Sequence, residues 1–298
     1  MGRSLADTFP EARAAFDEAE GALPGLTKVI FEGPDEDLVL TENAQPAILT
    51  MSVAAQRVLA ARGIQPAFVA GHSLGEYSAN VAAGTVRFAD AVRIVRRRGQ
   101  YMQEAVPVGA GSMAAILGLD ADAVARACED AAQGEVVSPA NINGAGQVVI
   151  AGATGAVQRA GERSKALGAK RVIPLAVSAP FHCALLKPAE ERLEPELRML
   201  TVQNPRVPVV ANVDAEPKRD AISAIDALVK QVSAPVRWEQ VVRRLASEGV
   251  TNYVEVGPGT VLSGLVKKIH KEAVVSHFAE PDDLAALYDT LRIQPRHV

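Results

Sequence analysis

The sequence has little cysteine, few aromatics and no long apolar run, and each shortage excludes a class of protein. Only Cys128 and Cys183 occur in 298 residues. They are too few and too far apart for a disulfide framework, and no Cys/His spacing of the metal-binding kind occurs. A reducing cytoplasm is therefore the expected compartment. No apolar stretch reaches the ~20 residues that span a bilayer. The opening MGRSLADTFPEARAAFDEAE is polar and amphipathic, without the apolar core of a secretory signal. Excess charge of one sign is missing too. A net value of −4 supplies no whole-molecule attraction to nucleic acid or anionic membrane. Aromatics make up 4% of the residues, so the core must be built from Ala, Val, Leu and Ile.

What remains is ordinary globular composition, 48% hydrophobic and 22% charged, long enough for one large domain or two unequal ones. Residues 43–62 read as a helix with Asn43 as cap, Pro46 in the first turn and Gly63 as stop. A short apolar run at 67–70 leads straight into GHSLGEYSANVAAG, whose second half is helical and closes at Gly84: strand, sharp turn, helix. A further helix over 88–105 carries Arg93, Arg96, Arg97 and Arg98.

The middle of the chain has another rhythm. Strand-like runs at 112–118, 136–141, 147–151 and 171–176 alternate with helices over 121–132, capped by Asp120, and 155–167, capped by Thr154. The order β-α-β-β-α-β predicts a ferredoxin-like small domain over 109–177. It is inserted into a large α/β domain made of 1–108 and 178–298. There, strands at 207–211, 252–256 and 273–276 alternate with helices near 184–200, 221–232, 238–248 and 260–270. This predicts a mostly parallel sheet flanked by helices, a hydrolase-like core.

Gly71-His72-Ser73-Leu74-Gly75 fits G-x-S-x-G, a turn that lifts a serine clear of the sheet, with two glycines letting backbone crowd it. Three fixed residues at roughly 7% each recur by chance in about one chain in ten of this length. The motif therefore counts only in its strand–turn–helix setting, where the helix aims N–H groups at a developing oxyanion. A serine needs a base, and there are five histidines. His72 sits inside the turn, His270 and His297 in basic or terminal contexts that read as surface, and His277 after a strand-like run that reads as packed. His182 lies in the loop SAPFHCAL, the kind of position that holds active-site residues. Spacing alone does not separate it from a structural histidine. Arg98 is a fork suited to a carboxylate. Its neighbour Gly99 can admit a ligand or backbone, although a solvated basic face explains the other three arginines equally well.

Together these segments resemble the malonyl-CoA:acyl carrier protein transacylases of fatty acid synthesis and the related acyltransferase domains of polyketide synthases. GHSLGEYSA (71–79) is similar to the family's nucleophile motif, and RGQYMQEA (98–105) to its carboxylate-binding arginine motif. SPANINGAGQVVIAG (138–152) matches its small-domain hairpin, and SAPFHC (178–183) its general-base loop. QVSAPVRW (231–238) matches the segment supporting the base, and EVGPGTVLSGL (255–265) its late strand–turn–helix. The resemblance implies that Ser73 forms a malonyl ester and that His182 is the base, supported by Gln231 through its backbone carbonyl. It implies that Leu74 N–H meets the oxyanion and that Arg98 holds the malonyl carboxylate. Asn141, Phe181 and His72 would line the cleft, with Phe181 crowding out a 2-methyl branch. The substrates would be malonyl-CoA and the phosphopantetheine thiol of acyl carrier protein, in a ping-pong scheme without cofactor or metal. The enzyme would work as a monomer, away from nucleic acid and membrane. Lys170, Arg171, Lys267 and Lys268 are candidate docking charges for the acidic carrier.

The family's opening strand and G-Q-G-S-Q loop have no counterpart here, since MGRSLADTFPEA resembles residues just downstream of it. A chain lacking that oxyanion contact is expected to be poorly active or unstable, which comparison with an N-terminally extended chain tests. Two other readings stand beside the transferase. A serine hydrolase shares G-x-S-x-G but places an Asp or Glu between Ser and His in chain order. A degenerate, non-catalytic acyltransferase would be a docking protein.

Overall fold

Short, punctuated helices open the chain, and their packing explains why Ala dominates the core. A computed structural model describes residues 1–293; His297 lies outside the described residues. Helix Thr41–Ala61 is the central beam, with Ala47, Leu49, Met51, Val53, Ala54, Ala55 and Val58 all buried. Helices Pro10–Ala22 and Phe88–Glu104 pack along it, and small side chains let these helices approach closely. The beam begins two residues earlier than predicted. Asn43 is not its cap, because its Nδ2 donates to the Asp37 carbonyl instead. Pro46 lies inside the helix near its start. No described helix is long and apolar enough to cross a membrane.

The parallel frame is built from short ladders. Val69–Ala70 pairs parallel with Val209–Val210, which pairs antiparallel with Pro217–Lys218. Asn252–Val256 pairs parallel with Val274–Phe278. The run predicted over 207–211 contributes only two residues to its ladder. Pro208 has no N–H to donate, and the chain turns at Asn212. Helices Ala221–Gln231, Trp238–Ser247 and Val261–Ile269 flank these strands, close to their predicted places.

Strands Gly111–Leu117, Val137–Gly144, Gln147–Ala153 and Arg171–Pro174 form one antiparallel sheet. Its order places 147–153 and 111–117 in the middle, the split-βαβ arrangement the sequence order predicts. Helix Ala121–Ala132 is capped as expected, with Asp120 accepting from Ala123 N–H at 2.7 Å. It lays Val124, Ala127, Cys128 and Ala131 on the sheet, where Ile116 and Ile150 are fully buried. Thr154 does not cap helix Thr154–Ala166. Its hydroxyl donates to the Gly109 carbonyl, tying the helix start to the incoming chain. The sheet is stitched to the frame where Ile142 N–H donates to Val236 O and Val236 N–H to Ala140 O, both at 2.8 Å.

Candidate active site

Strand Val69–Ala70 delivers Ser73 to the start of helix Leu74–Ala83 in a conformation that non-glycine residues rarely adopt, φ 52° and ψ −108°. Strain of this kind persists only where the surroundings hold it. Here Ser73 N–H donates to Asn212 Oδ1 at 2.7 Å, and Asn212 Nδ2 returns to the Gly71 carbonyl at 2.7 Å. Of the two motif glycines, only Gly71 is required by crowding. A Cβ there would lie 2.0 Å from the Gly75 backbone, whereas one on Gly75 would meet nothing within 4 Å. Leu74 is the first helical residue, so its N–H has no intrahelical acceptor.

The structure brings His182 and Arg98 to the same oxygen. Ser73 Oγ lies 2.7 Å from His182 Nε2 and 3.1 Å from Arg98 Nη2. His182 Nδ1 donates to the Gln231 backbone carbonyl at 2.9 Å, which leaves Nε2 as the acceptor for the serine proton. The imidazole is 3% exposed and itself sits at a left-handed φ of 60°. Burial, and after it the charge of Arg98, push its pKa down to about 3. At neutral pH the ring is an unprotonated base.

Arg98 is 2% exposed. It donates to Gln45 Oε1 at 2.7 Å and Gln231 Oε1 at 2.9 Å, packs over the Tyr77 ring, and leaves Nε without a partner among the described residues. Gly99 serves backbone rather than ligand, because a Cβ there would come within 2.6 Å of Glu42 Cα at the start of the central helix.

The remaining predicted residues fall in several settings. His72 is half-buried, and desolvation lowers its pKa. It shares a 2.9 Å hydrogen bond with Asn143 Oδ1 and lies against Trp238. Asn141 is buried on strand Val137–Gly144 and bridges to Val236. Phe181 packs between the apolar clusters of the frame and the sheet. Lys170, Arg171, Lys267 and Lys268 are exposed. Two other histidines differ from expectation. His270 is half-buried against Tyr253, whose hydroxyl lies 3.1 Å from its Nδ1. His277, read as packed, is 43% exposed and 3.2 Å from Asp283.

Sequence reasoning missed Gln45, Glu76, Asn143 and Asn212. Asn212 carried a signal: it follows a parallel strand at its carboxyl end, where α/β folds place their sites. Glu76 sits one turn after Ser73 and reads as a solvated helix residue, yet it is 1% exposed. Burial chiefly raises its pKa to about 7, against hydrogen bonds from Asn212 N–H and the Gln231 amide.

A serine on a strained elbow, a neutral imidazole on its hydroxyl and a backbone carbonyl behind that imidazole define an acyl-transfer site. Comparison with known proteins agrees. The family model for the acyl transferase domain matches residues 1–288, and the chain belongs to that family. It is an acyltransferase, and its relatives narrow the kind. It is 51% identical over 288 residues to the malonyl CoA-acyl carrier protein transacylase of Escherichia coli K12, covering 96% of this chain and 93% of that one. The Bacillus subtilis transacylase is 46% identical over 294 residues, covering 98% and 93%. Among solved structures, an acyl carrier protein S-malonyltransferase from Vibrio cholerae superposes with a TM-score of 0.94 at 47% identity. It covers 96% of this chain and 94% of that one. A malonyl-transacylase solved in complex with a type II polyketide synthase acyl-carrier protein gives 0.94 at 45% identity, covering 97% and 94%.

Proposed function

We propose that the chain moves a malonyl group from malonyl-CoA to the phosphopantetheine thiol of an acyl carrier protein through an ester on Ser73. The observation that carries this reading is Arg98, a buried guanidinium whose hydrogen-bond partners Gln45, Gln231 and Ser73 are all neutral. A buried cation with no anion in direct contact is costly. A donor with a free carboxylate relieves that cost and is held with its thioester carbonyl beside Ser73, making attack effectively intramolecular.

His182 Nε2 takes the Ser73 proton as Oγ adds to the carbonyl, and the oxyanion is met by Leu74 N–H. The C–S bond then breaks, and the CoA sulfur leaves with the proton from His182. In the second half, His182 takes the carrier thiol's proton, the sulfur attacks the ester, and Ser73 recovers its hydrogen. The Gln231 carbonyl holds the ring throughout, and the pinned carboxylate cancels the Arg98 charge that depresses His182. The base therefore strengthens when the acidic donor is in place. Asn141, Phe181 and His72 shape the cleft, with Phe181 excluding a branched acyl chain. Lys170, Arg171, Lys267 and Lys268 supply positive charge for an acidic carrier. The enzyme works as a cytoplasmic monomer without cofactor.

Intact-protein mass spectrometry after mixing with malonyl-CoA tests the reading. A malonyl adduct is expected that Ser73→Ala abolishes and that added carrier protein discharges. An adduct surviving in Ser73→Ala, or free malonate released without carrier, would overturn it.

A further inference from the structure

Around Arg98 the polar contacts have a direction. Gln231 Nε2 donates to the Ser73 carbonyl at 2.9 Å and to Glu76 Oε2 at 2.7 Å, while Gln231 Oε1 accepts from Arg98. Turning the amide over would set its NH2 against the guanidinium and its oxygen against a carbonyl and a carboxylate. All three contacts would become repulsive. Glu76 is the strongest acceptor among them, and it is fixed in turn by Asn212 N–H at 3.0 Å. Asn212 also holds Ser73 N–H and the Gly71 carbonyl.

We propose that Glu76 is a positioning residue for Arg98. Its carboxylate fixes the Gln231 amide so that a neutral oxygen, and no formal charge, faces the guanidinium. The arrangement separates two requirements. The guanidinium must be held in one place, and its charge must stay available. A carboxylate in direct contact with Arg98 would satisfy the first and defeat the second, occupying the site that an acidic acyl group needs. Placing the carboxylate one amide away keeps the geometry, polarises Oε1 toward Arg98 and leaves the fork without a fixed anion. Burial of the whole chain of contacts gives each bond its strength, because no water competes at Glu76, Gln231 or Arg98. Glu76 thereby sets preference for a carboxylated acyl donor over a neutral one of similar size. This rests on the reading of Arg98 given above.

Single-turnover acylation of Ser73 by malonyl-CoA and by acetyl-CoA tests it, above the pH of about 7 at which Glu76 ionises, in the full chain and in Glu76→Gln, with the melting temperature of each. Glu76→Gln is expected to lower malonyl acylation about tenfold more than acetyl acylation, the scale of one charge-assisted hydrogen bond. Glu76→Asp keeps the charge on a shorter arm and is expected to restore part of that preference. Parallel losses for both donors, an unchanged ratio, or failure of both variants to fold would overturn the proposal in favour of a purely structural role. Failure of the unsubstituted chain to form any malonyl ester would instead overturn the transferase reading, which separates the two.

Discussion

The antiparallel sheet over 111–174 and the frame around it spend regularity differently. In the sheet, a seven-residue ladder runs between Gly111–Leu117 and Gln147–Ala153, and Ile116, Val124, Ile150 and Ala160 close an apolar cluster in which burial pushes the pKa of the one thiol, Cys128, up to about 12. In the frame, the ladder that presents Ser73 is two residues long. The reacting residues Ser73 and His182 hold left-handed backbone, which among the sheet's non-glycine residues falls only on the turn residues Gln133 and Ala145, and Glu76, Arg98, Asn212 and Gln231 are buried polar groups of the frame. Regular pairing is concentrated where no chemistry happens, and buried charge and strained reacting residues where it does. A site needs a strained backbone and desolvated charges, and only a well-packed surround can sustain them.

Substitutions should separate the two regions. Arg98→Ala removes the buried fork and is expected to lower malonyl acylation by at least ~10²-fold while sparing acetyl acylation. Equal losses for both donors would show that Arg98 serves the frame alone. Ile150→Ala, at a fully buried position of the sheet, is expected to cost about 3 kcal/mol in urea unfolding. Its acylation rate below the transition should be unchanged. A slowed acylation without loss of stability would break the contrast.

The third test uses pH, where two buried groups oppose each other. His182 titrates at about 3 in the native state against an ordinary 6.5. Between those values the unfolded chain binds a proton that the folded chain does not, so stability rises with pH. Glu76 titrates at about 7 against an ordinary 4.5. Over that range the folded chain holds the extra proton, so stability falls as pH rises. From pH 4.5 to 6.5 the two slopes cancel. Glu76→Gln should therefore make stability climb more steeply with pH across this window than in the unsubstituted chain, by up to ~1.4 kcal/mol per pH unit. Identical pH slopes in the two proteins would refute a carboxyl and an imidazole buried in opposite protonation states.

Much of this was legible in the sequence, for reasons that differ by element. Helix Ala121–Ala132 announced itself through Asp120 and apolar spacing because cap and burial are local properties. Ser73 was legible because its elbow needs Gly71, whose missing Cβ leaves a motif in the letters. Asn43 and Thr154 misled. Each has cap chemistry at the right spacing, but a distant carbonyl claimed the side chain in the fold. Gln45 was invisible, since its partner Arg98 is 53 residues away. Asn212 was marked only by its place at the carboxyl end of a strand, and Glu76 meets Gln231 only after the strands have paired, a meeting no local pattern marks.

The group behind His182 is a main-chain oxygen, and every amino acid carries one, so no single codon change can delete it. Mutation at position 231 strips the amide from Arg98 and Ser73 yet leaves the imidazole its acceptor. A catalytic carboxylate in the same place would be one point mutation from loss. Here, drift in the sequence must displace a whole loop before the histidine loses its bearing.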